Sequence, residues 1–455
     1  MGIQKFREMI LVGLIILASM FNMRSSQAEE AAFPSTFNWT HWRGANVQGH
    51  ADPAITGLPE RWSETEHVAW KTELPGRGWS SPVIWGKQVW MTAAIETETS
   101  EEEAKSRLAA NTGGQPLTLL GEVEFLALCV DLETGGLLHK VSLMVEQDPQ
   151  WVHQLNSYAS PTPVIEEGRL YCHFGTFGTV CVDTAKAEVL WRNRELKLMH
   201  ENGPGSSPVL WKDKVIFHCD GSDVQFVAAL ETATGKLAWK TERSGKLDPN
   251  PQLKKAYATP VIAGYPGGPQ LISPGADWLY SYDPATGSEL WKLSYEKLGF
   301  SNVAPPIIGD GMLFLSTGFM KSEILGITYD GSSAPKIAWR YERNVPTTPA
   351  PVLVGNELYF ASDQGGLVTC LDAKTGERHY RERIASGNYS AAPLYADGKL
   401  YFFSREGETT VVKPGTGFEI LAKSELSGKI FATPAAVPGA LFLRTDSALY
   451  RLTVK

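Results

Sequence analysis

The amino-acid sequence predicts an all-β fold, a closed eight-bladed β-propeller of four-stranded antiparallel blades. Proline recurs eight times at the head of a short apolar run: Pro82, Pro163, Pro208, Pro260, Pro306, Pro351, Pro393 and Pro434. In seven copies the residue seven places later is aliphatic (Val89, Leu170, Val215, Leu313, Leu358, Leu400 and Leu441), and Tyr265-Pro266-Gly267-Gly268 stretches the eighth before Leu271. A second beat places an aromatic eight residues after an acid: Asp183 with Trp191, Glu231 with Trp239, Asp283 with Trp291, and Asp372 with Tyr380. From Pro163 onward the copies recur at 41 to 52 residues, the period of a propeller or solenoid.

Residues 347–383 form the cleanest copy. Pro351 heads an apolar run whose first residue need not donate to a ladder. Gly355-Asn356 turns the chain into Leu358-Tyr359-Phe360-Ala361, and Asp363-Gln364-Gly365-Gly366 turns it into a third strand ending at Asp372. After the Thr375-Gly376 turn, residues 378–383 alternate charge with an aromatic, as an outer strand does. Four short antiparallel strands make one blade.

The outer-strand aromatic slot is filled at Trp70, His139, Trp191, Trp239, Trp291, Trp339, Tyr380 and Leu421, again eight positions. Trp70 precedes the first anchor, and the last copy, 431–454, ends without an outer strand. Residues 67–74 are therefore expected to complete the C-terminal blade, which removes an exposed sheet edge. Trp70, Trp191, Trp239, Trp291, Trp339 and Tyr380 read as packing between blades.

The remaining segments are a signal peptide (1–28), an N-terminal arm (29–66) and an insertion (about 96–122) within the propeller at 67–455. Lys5 and Arg7 precede an apolar stretch of 13 residues, 9–21, and Ser26-Gln27-Ala28 offers a cleavage site. That stretch is shorter than the roughly 20 residues a bilayer span needs. The expected product is exported, periplasmic or extracellular, with no membrane span after cleavage near Ala28. In the insertion, Ser100-Glu101-Glu102-Glu103 is a capping box, predicting a short helix near 100–110.

The chain carries a net charge of −8, and removing Lys5, Arg7 and Arg24 with Glu8 leaves about −10, which argues against nucleic acid. Cys129, Cys181 and Cys370 share one repeat slot and read as core packing. Pairing of strands around 170–174 and 179–183 would set Cys172 against Cys181, leaving a disulfide open there. No cysteine spacing matches a zinc or haem motif.

The run from Asp283 to Trp291, preceded by Tyr282, has the form D-x-x-T-G-x-x-x-W, and the runs ending at Trp239 and Tyr380 follow it with Glu231 and Tyr380 as variants. This resembles the tryptophan-docking repeat of pyrroloquinoline-quinone-type (PQQ-like) eight-bladed propellers. That superfamily includes quinoprotein alcohol dehydrogenases and the non-catalytic outer-membrane assembly propeller BamB. Residues 39–46, Trp-Thr-His-Trp-Arg-Gly-Ala-Asn, are similar to the N-terminal signature of uncharacterised exported members. The resemblance covers roughly 39–455 and implies the fold. Quinoprotein catalysis would further imply a vicinal cysteine pair and a calcium-holding Glu/Asn/Asp set; no Cys-Cys or Cys-x-x-Cys-His is present, and that calcium set has no match by residue. The absent lipoprotein cysteine also sets the chain apart from BamB.

In a propeller, the turns leading into each innermost strand and those between second and third strands gather on one face. The candidate ligand-binding residues on these turns are Arg77, Trp79, His153, Asn156, Tyr158, His200, Glu201, Asn202, Tyr257, Asp277, Trp278, Asn302, Asn388 and Tyr389. His200-Glu201-Asn202 groups an acid/base candidate with a carboxylate and an amide, but lacks a third positioned partner for catalysis. Asp220-Gly221-Ser222-Asp223 reads as a turn rather than a calcium loop. No catalytic or metal-ligating residue is assigned. The expected function is a monomeric, non-catalytic scaffold binding a partner protein or cell-envelope component. A PQQ- and calcium-dependent oxidoreductase and a carbohydrate- or small-molecule-binding propeller are the alternatives.

Overall fold

The computed structural model describes residues 37–454 apart from 112, 297–299 and 310. The expected signal peptide, 1–28, lies outside the described residues. Eight four-stranded antiparallel sheets form the blades, and in seven of them the strands follow chain order from the innermost outward. The eighth takes Val68–Glu73 as its outer strand against Ala448–Thr453, with Ala440–Arg444 and Ala435–Val437 inside. Its register runs from Val68 opposite Leu452 to Glu73 opposite Ala448. The ring is therefore closed by both ends of the chain, as the incomplete last repeat predicts.

Every anchor proline directly precedes an innermost strand; Pro82 precedes Val83–Trp85 and Pro351 precedes Val352–Val354. The seven-residue interval has a geometric cause. The second residue after the proline pairs with the seventh across a tight turn: Ile84 with Val89, Leu353 with Leu358, Tyr395 with Leu400. In the stretched copy Ile262 pairs with Leu271 instead. These seventh-position side chains are fully buried between blades, where removal of each aliphatic group from water stabilises by about 1.5–3 kcal/mol.

The outer-strand indoles dock on the turn of the next blade. Nε1 of Trp70, Trp191, Trp239 and Trp339 donates to the carbonyls of Leu132, Thr232, Pro284 and Ala373. Beneath these rings lie Gly135, Gly235, Gly287 and Gly376, all with left-handed backbone. At the docking slot every outer strand slips register by one residue, as between Cys181 and Val182, which turns the aromatic toward its neighbour. In blade seven this register puts Ala422, rather than Leu421, opposite Val411 in the slot. Leu421 is thus misassigned by one residue, because sequence spacing does not show the bulge.

A Cβ on Gly235 would lie 2.4 Å from Trp191 Cε3, at φ +70. Gly235→Ala is expected to cost about 1–3 kcal/mol in overpacking, added to the left-handed backbone penalty. Gly168→Ala, at φ +76 with open space around it, isolates that backbone penalty. Equal denaturant midpoints for the two variants would refute docking as the source.

The arm is the main addition to the sequence reading. It crosses the end of the channel away from the lead-in turns and bonds the second strand residue of six blades. Ile84 N donates to Trp39 O, Ile165 N to Thr40 O, and Tyr395 N to Gly49 O. Leu210 N donates to His41 Nε2 and Ile308 N to Gln48 Oε1, while His50 Nε2 contacts Leu353 O at 2.6 Å. Innermost strands have an unpaired edge along the channel, and the arm satisfies part of it. Arg43 is buried at this hub, with Nη2 donating to Pro351 O at 2.6 Å. Burial alone draws its guanidinium down to about 9.

In the insertion, α1 (Glu101–Leu108) is capped by Ser100 Oγ, which accepts from Glu103 N at 3.1 Å. The flanking strands Gln88–Glu98 and Leu120–Asp131 extend into the predicted insertion and narrow it. Arg107 holds it down through Asp148 Oδ1 (3.0 Å) and Pro149 O (2.9 Å). Cys172 pairs with Val180 and Cys181 with Tyr171. One residue of register puts the two thiols on opposite faces, so the open disulfide reading is corrected: all five cysteines are buried thiols.

Candidate functional site

The lead-in face is built over a belt of hydroxyls. Ser or Thr precedes the anchor proline in five blades, and each accepts from the backbone N–H of the residue in the same slot one blade away. Ala392 N donates to Thr433 Oγ1, Thr433 N to Ser81 Oγ, Ser81 N to Thr162 Oγ1, Thr162 N to Ser207 Oγ, and Ser207 N to Thr259 Oγ1. Pro305 and Ala350 occupy this slot in blades five and six and end the chain of bonds.

The structure divides the candidate residues into a buried layer and a surface rim. Tyr158, His200, Asn302 and Tyr389 are buried. Tyr158 donates to Gln150 O, and Tyr257 donates to His200 O at 2.5 Å. His200 Nε2 accepts from Thr176 N at 3.1 Å, and burial lowers its pKa to about 3, so the ring is neutral and already committed. Asn302 Nδ2 donates to Gly275 O and Tyr295 Oη. Tyr389 sits in the core between blades six and seven. Glu201, at φ +66, accepts from Ser222 Oγ, while burial pulls nearby Lys255 down to about 8 against the attraction of Glu201.

Asn202 O accepts from His153 N and Asn156 Nδ2, which ties the blade-two and blade-three turns together. Arg77 Nη2 reaches Asn156 O at 2.9 Å. His153 is half-buried, and burial followed by the charge of Arg405 lowers its pKa. Asn388 bonds Glu406. Asp277 and Trp278 stand apart in blade four, where Trp278 Nε1 donates to Lys246 O and Lys292 lies over its ring.

The groups brought together in space are Arg77 and Trp79, joined by two residues absent from the sequence-derived site. Trp79 stacks on Phe431 at 4.3 Å and 20°. Arg77 lies over Trp79 at 5.3 Å and Arg405 over Phe431 at 5.5 Å. All four are partly exposed, and they link blades one, eight and seven. Beneath them Arg444 is buried, its Nη1 donating to Ser80 O, Ser80 Oγ and Thr92 O. Burial draws its guanidinium down to about 9. Phe431 lies in a lead-in turn, so its place on this face was legible. Arg405 carries no local signal, because its partner ring is one blade away.

The two-aspartate turn is fully engaged. Asp220 makes a buried bidentate pair with Arg243 (Oδ1–Nε 3.1 Å, Oδ2–Nη2 2.7 Å), and Asp223 Oδ1 accepts from Met199 N. Arg243 also lies over Tyr280 at 4.7 Å. This is a buried pair bonded on several sides, and breaking one half costs about 3–5 kcal/mol.

Among the described residues, no three His, Cys, Asp or Glu side chains converge to hold a metal ion. Burial pushes the Cys181 and Cys370 thiols up to about 12, away from thiolate chemistry.

The fold and face together define a closed eight-bladed propeller with tryptophan-docked blades and a plugged channel. The family model for the outer membrane protein assembly factor BamB matches residues 86–265 and 225–454, and the chain belongs to that family. No curated protein matches the sequence. The solved BamB of Moraxella catarrhalis is 12% identical, with a TM-score of 0.51 over 74% of this chain and 100% of that one. A europium-containing methanol dehydrogenase is also 12% identical, with a TM-score of 0.60 over 90% of each chain. The quinohemoprotein alcohol dehydrogenase of Comamonas testosteroni is 10% identical, with a TM-score of 0.59 over 93% of this chain and 81% of that one. These likenesses concern the fold.

Proposed function

We propose that this chain is an exported scaffold that binds a partner protein of the cell envelope on its lead-in face. One observation carries the reading. Among the described residues, apart from outer-strand residues and Val454, the exposed large apolar side chains are Leu155, Phe319 and Met320. All three lie in turns of the lead-in face, and Phe319 and Met320 are 64% and 73% exposed. Phe319 meets Phe300 edge-on at 6.1 Å, which holds it upright. Apolar groups displayed on a polar surface, together with the Arg77–Trp79–Phe431–Arg405 stack, have the chemistry of interface anchors. Family membership and the BamB neighbour add support.

Photo-crosslinking from position 155 or 319 in intact cells is expected to capture one specific envelope protein. The double variant Phe319→Ser/Met320→Ser should abolish that capture without shifting the denaturation midpoint. Absence of a specific adduct from either position would overturn the reading. Saturable micromolar binding of pyrroloquinoline quinone with calcium in calorimetry would replace it with the oxidoreductase alternative.

A further inference from the structure

On the opposite face, where blade four breaks the repeat, a cleft of about 640 Å³ opens between blades three, four and five. We propose that this cleft binds a neutral sugar ring, free or within a glycan, independently of the lead-in face. The break itself makes the site. In four other blades the docking indole donates to a backbone carbonyl of the next turn, but blade five replaces the Thr-Gly turn with Gly331-Ser332-Ser333-Ala334. Trp291 Nε1 turns instead to Gln270 Oε1 (3.0 Å) and Tyr329 Oη (2.7 Å). Gly331 abuts Tyr265 rather than Trp291, so the indole lines the cleft.

Gln270 is only 7% exposed, and its Oε1 accepts from Trp291, Tyr329 and Ser281. Three bonds on one oxygen fix the amide plane and leave Nε2 as a preset donor at the cleft. Trp211 supplies a second indole across the opening, with the Lys212 ammonium 4.6 Å from its ring centroid. The stretched Gly267-Gly268 rim has no atoms within 4 Å of either added Cβ, so a ligand can approach its backbone closely. Indole faces complement the apolar C–H face of a sugar, while the fixed amide donates to its edge and the Ser332 and Ser333 hydroxyl oxygens, whose protons go to Asp330 Oδ1, accept from it. The volume lies within the roughly 300–1,000 Å³ of ordinary ligand sites.

The test is calorimetry and tryptophan fluorescence of the full chain with cellotriose, maltotriose and chitotriose, and co-sedimentation with cellulose, starch and chitin. At least one probe is expected to bind saturably. Affinity should fall at least tenfold in both Trp211→Ala and Gln270→Glu, which keeps the acceptor and removes the donor. Phe319→Ser, on the other face, should leave binding unchanged and thereby separate this site from the partner site. Binding of a polymer without its trisaccharide would assign a glycan as the source. No saturation by 10 mM with no sedimentation, or undiminished binding in either folded cleft variant, overturns the proposal.

Discussion

A chain beginning at Pro75 is expected to lose the folded monomer. It lacks Val68–Glu73, so Ala448–Thr453 is left with an open backbone edge. The Trp70 indole no longer covers Gly135, and its bond to Leu132 O is lost. An exposed strand edge next to buried apolar surface is a template for association. The same truncation removes the arm, whose hub bonds reach six blades and whose Trp39, Val47, Ile55, Leu58 and Trp62 are buried. A chain beginning at Glu66 separates the two effects, because it keeps the closing strand and drops only the hub. It should remain a monomer but lose roughly 5 kcal/mol or more, given about 0.5–1.5 kcal/mol per hydrogen bond and the apolar burial forfeited. Size-exclusion chromatography and denaturant titration give the readout. A Pro75 chain as monomeric and stable as the full chain would refute closure by the termini.

The second large effect is acid destabilisation beginning near pH 6.5. Burial lowers His41 to about 4, and His173 and His200 to about 3. In the unfolded chain each titrates at its ordinary value near 6.5. The sign follows from which state takes the proton. Above pH 6.5 both states are neutral and stability is unaffected. Below it the unfolded chain protonates first, so stability falls with pH until the folded values are reached. At pH 5 the loss is about 2 kcal/mol per histidine, or about 6 kcal/mol for the three, comparable with total domain stability. Two of the rings also act as acceptors, His41 for Leu210 N and His200 for Thr176 N, and protonation destroys both bonds. His200→Gln retains an acceptor without the titration, and its midpoint should fall less steeply between pH 7.5 and 5. Identical midpoints for the parent chain at those two pH values would refute this account.

The architecture was legible because its causes are local and repeated. Each anchor proline starts an innermost strand, and the seventh residue faces its partner two places after the proline, whichever blade is considered. The unfinished final repeat and the early Trp70 together required closure. The slip at Leu421 has the opposite character. A bulge leaves the residue types unchanged while moving the pairing register, so only the ladder reveals Ala422.

The candidate site was less legible, because turns on the same face do not all reach the surface. His200 looked like an acid/base candidate beside a carboxylate, yet its ring lies over Gly175 and serves a backbone amide. Arg77 and Trp79 gained their setting from Phe431 and Arg405, hundreds of residues away in the chain. Asp220 read as a turn-forming aspartate, and only the tertiary structure brings Arg243 of the same blade against it in the core.

Repeat period, strand order and the packing role of the tryptophans are properties of short stretches, since pairing and docking act between neighbouring strands and blades. The arm that plugs the hub, the stack across blades seven, eight and one, and the cleft at the broken repeat depend on residues brought together by ring closure. Closure fixes distances that no local spacing encodes, and for that reason tertiary structure alone assigned them.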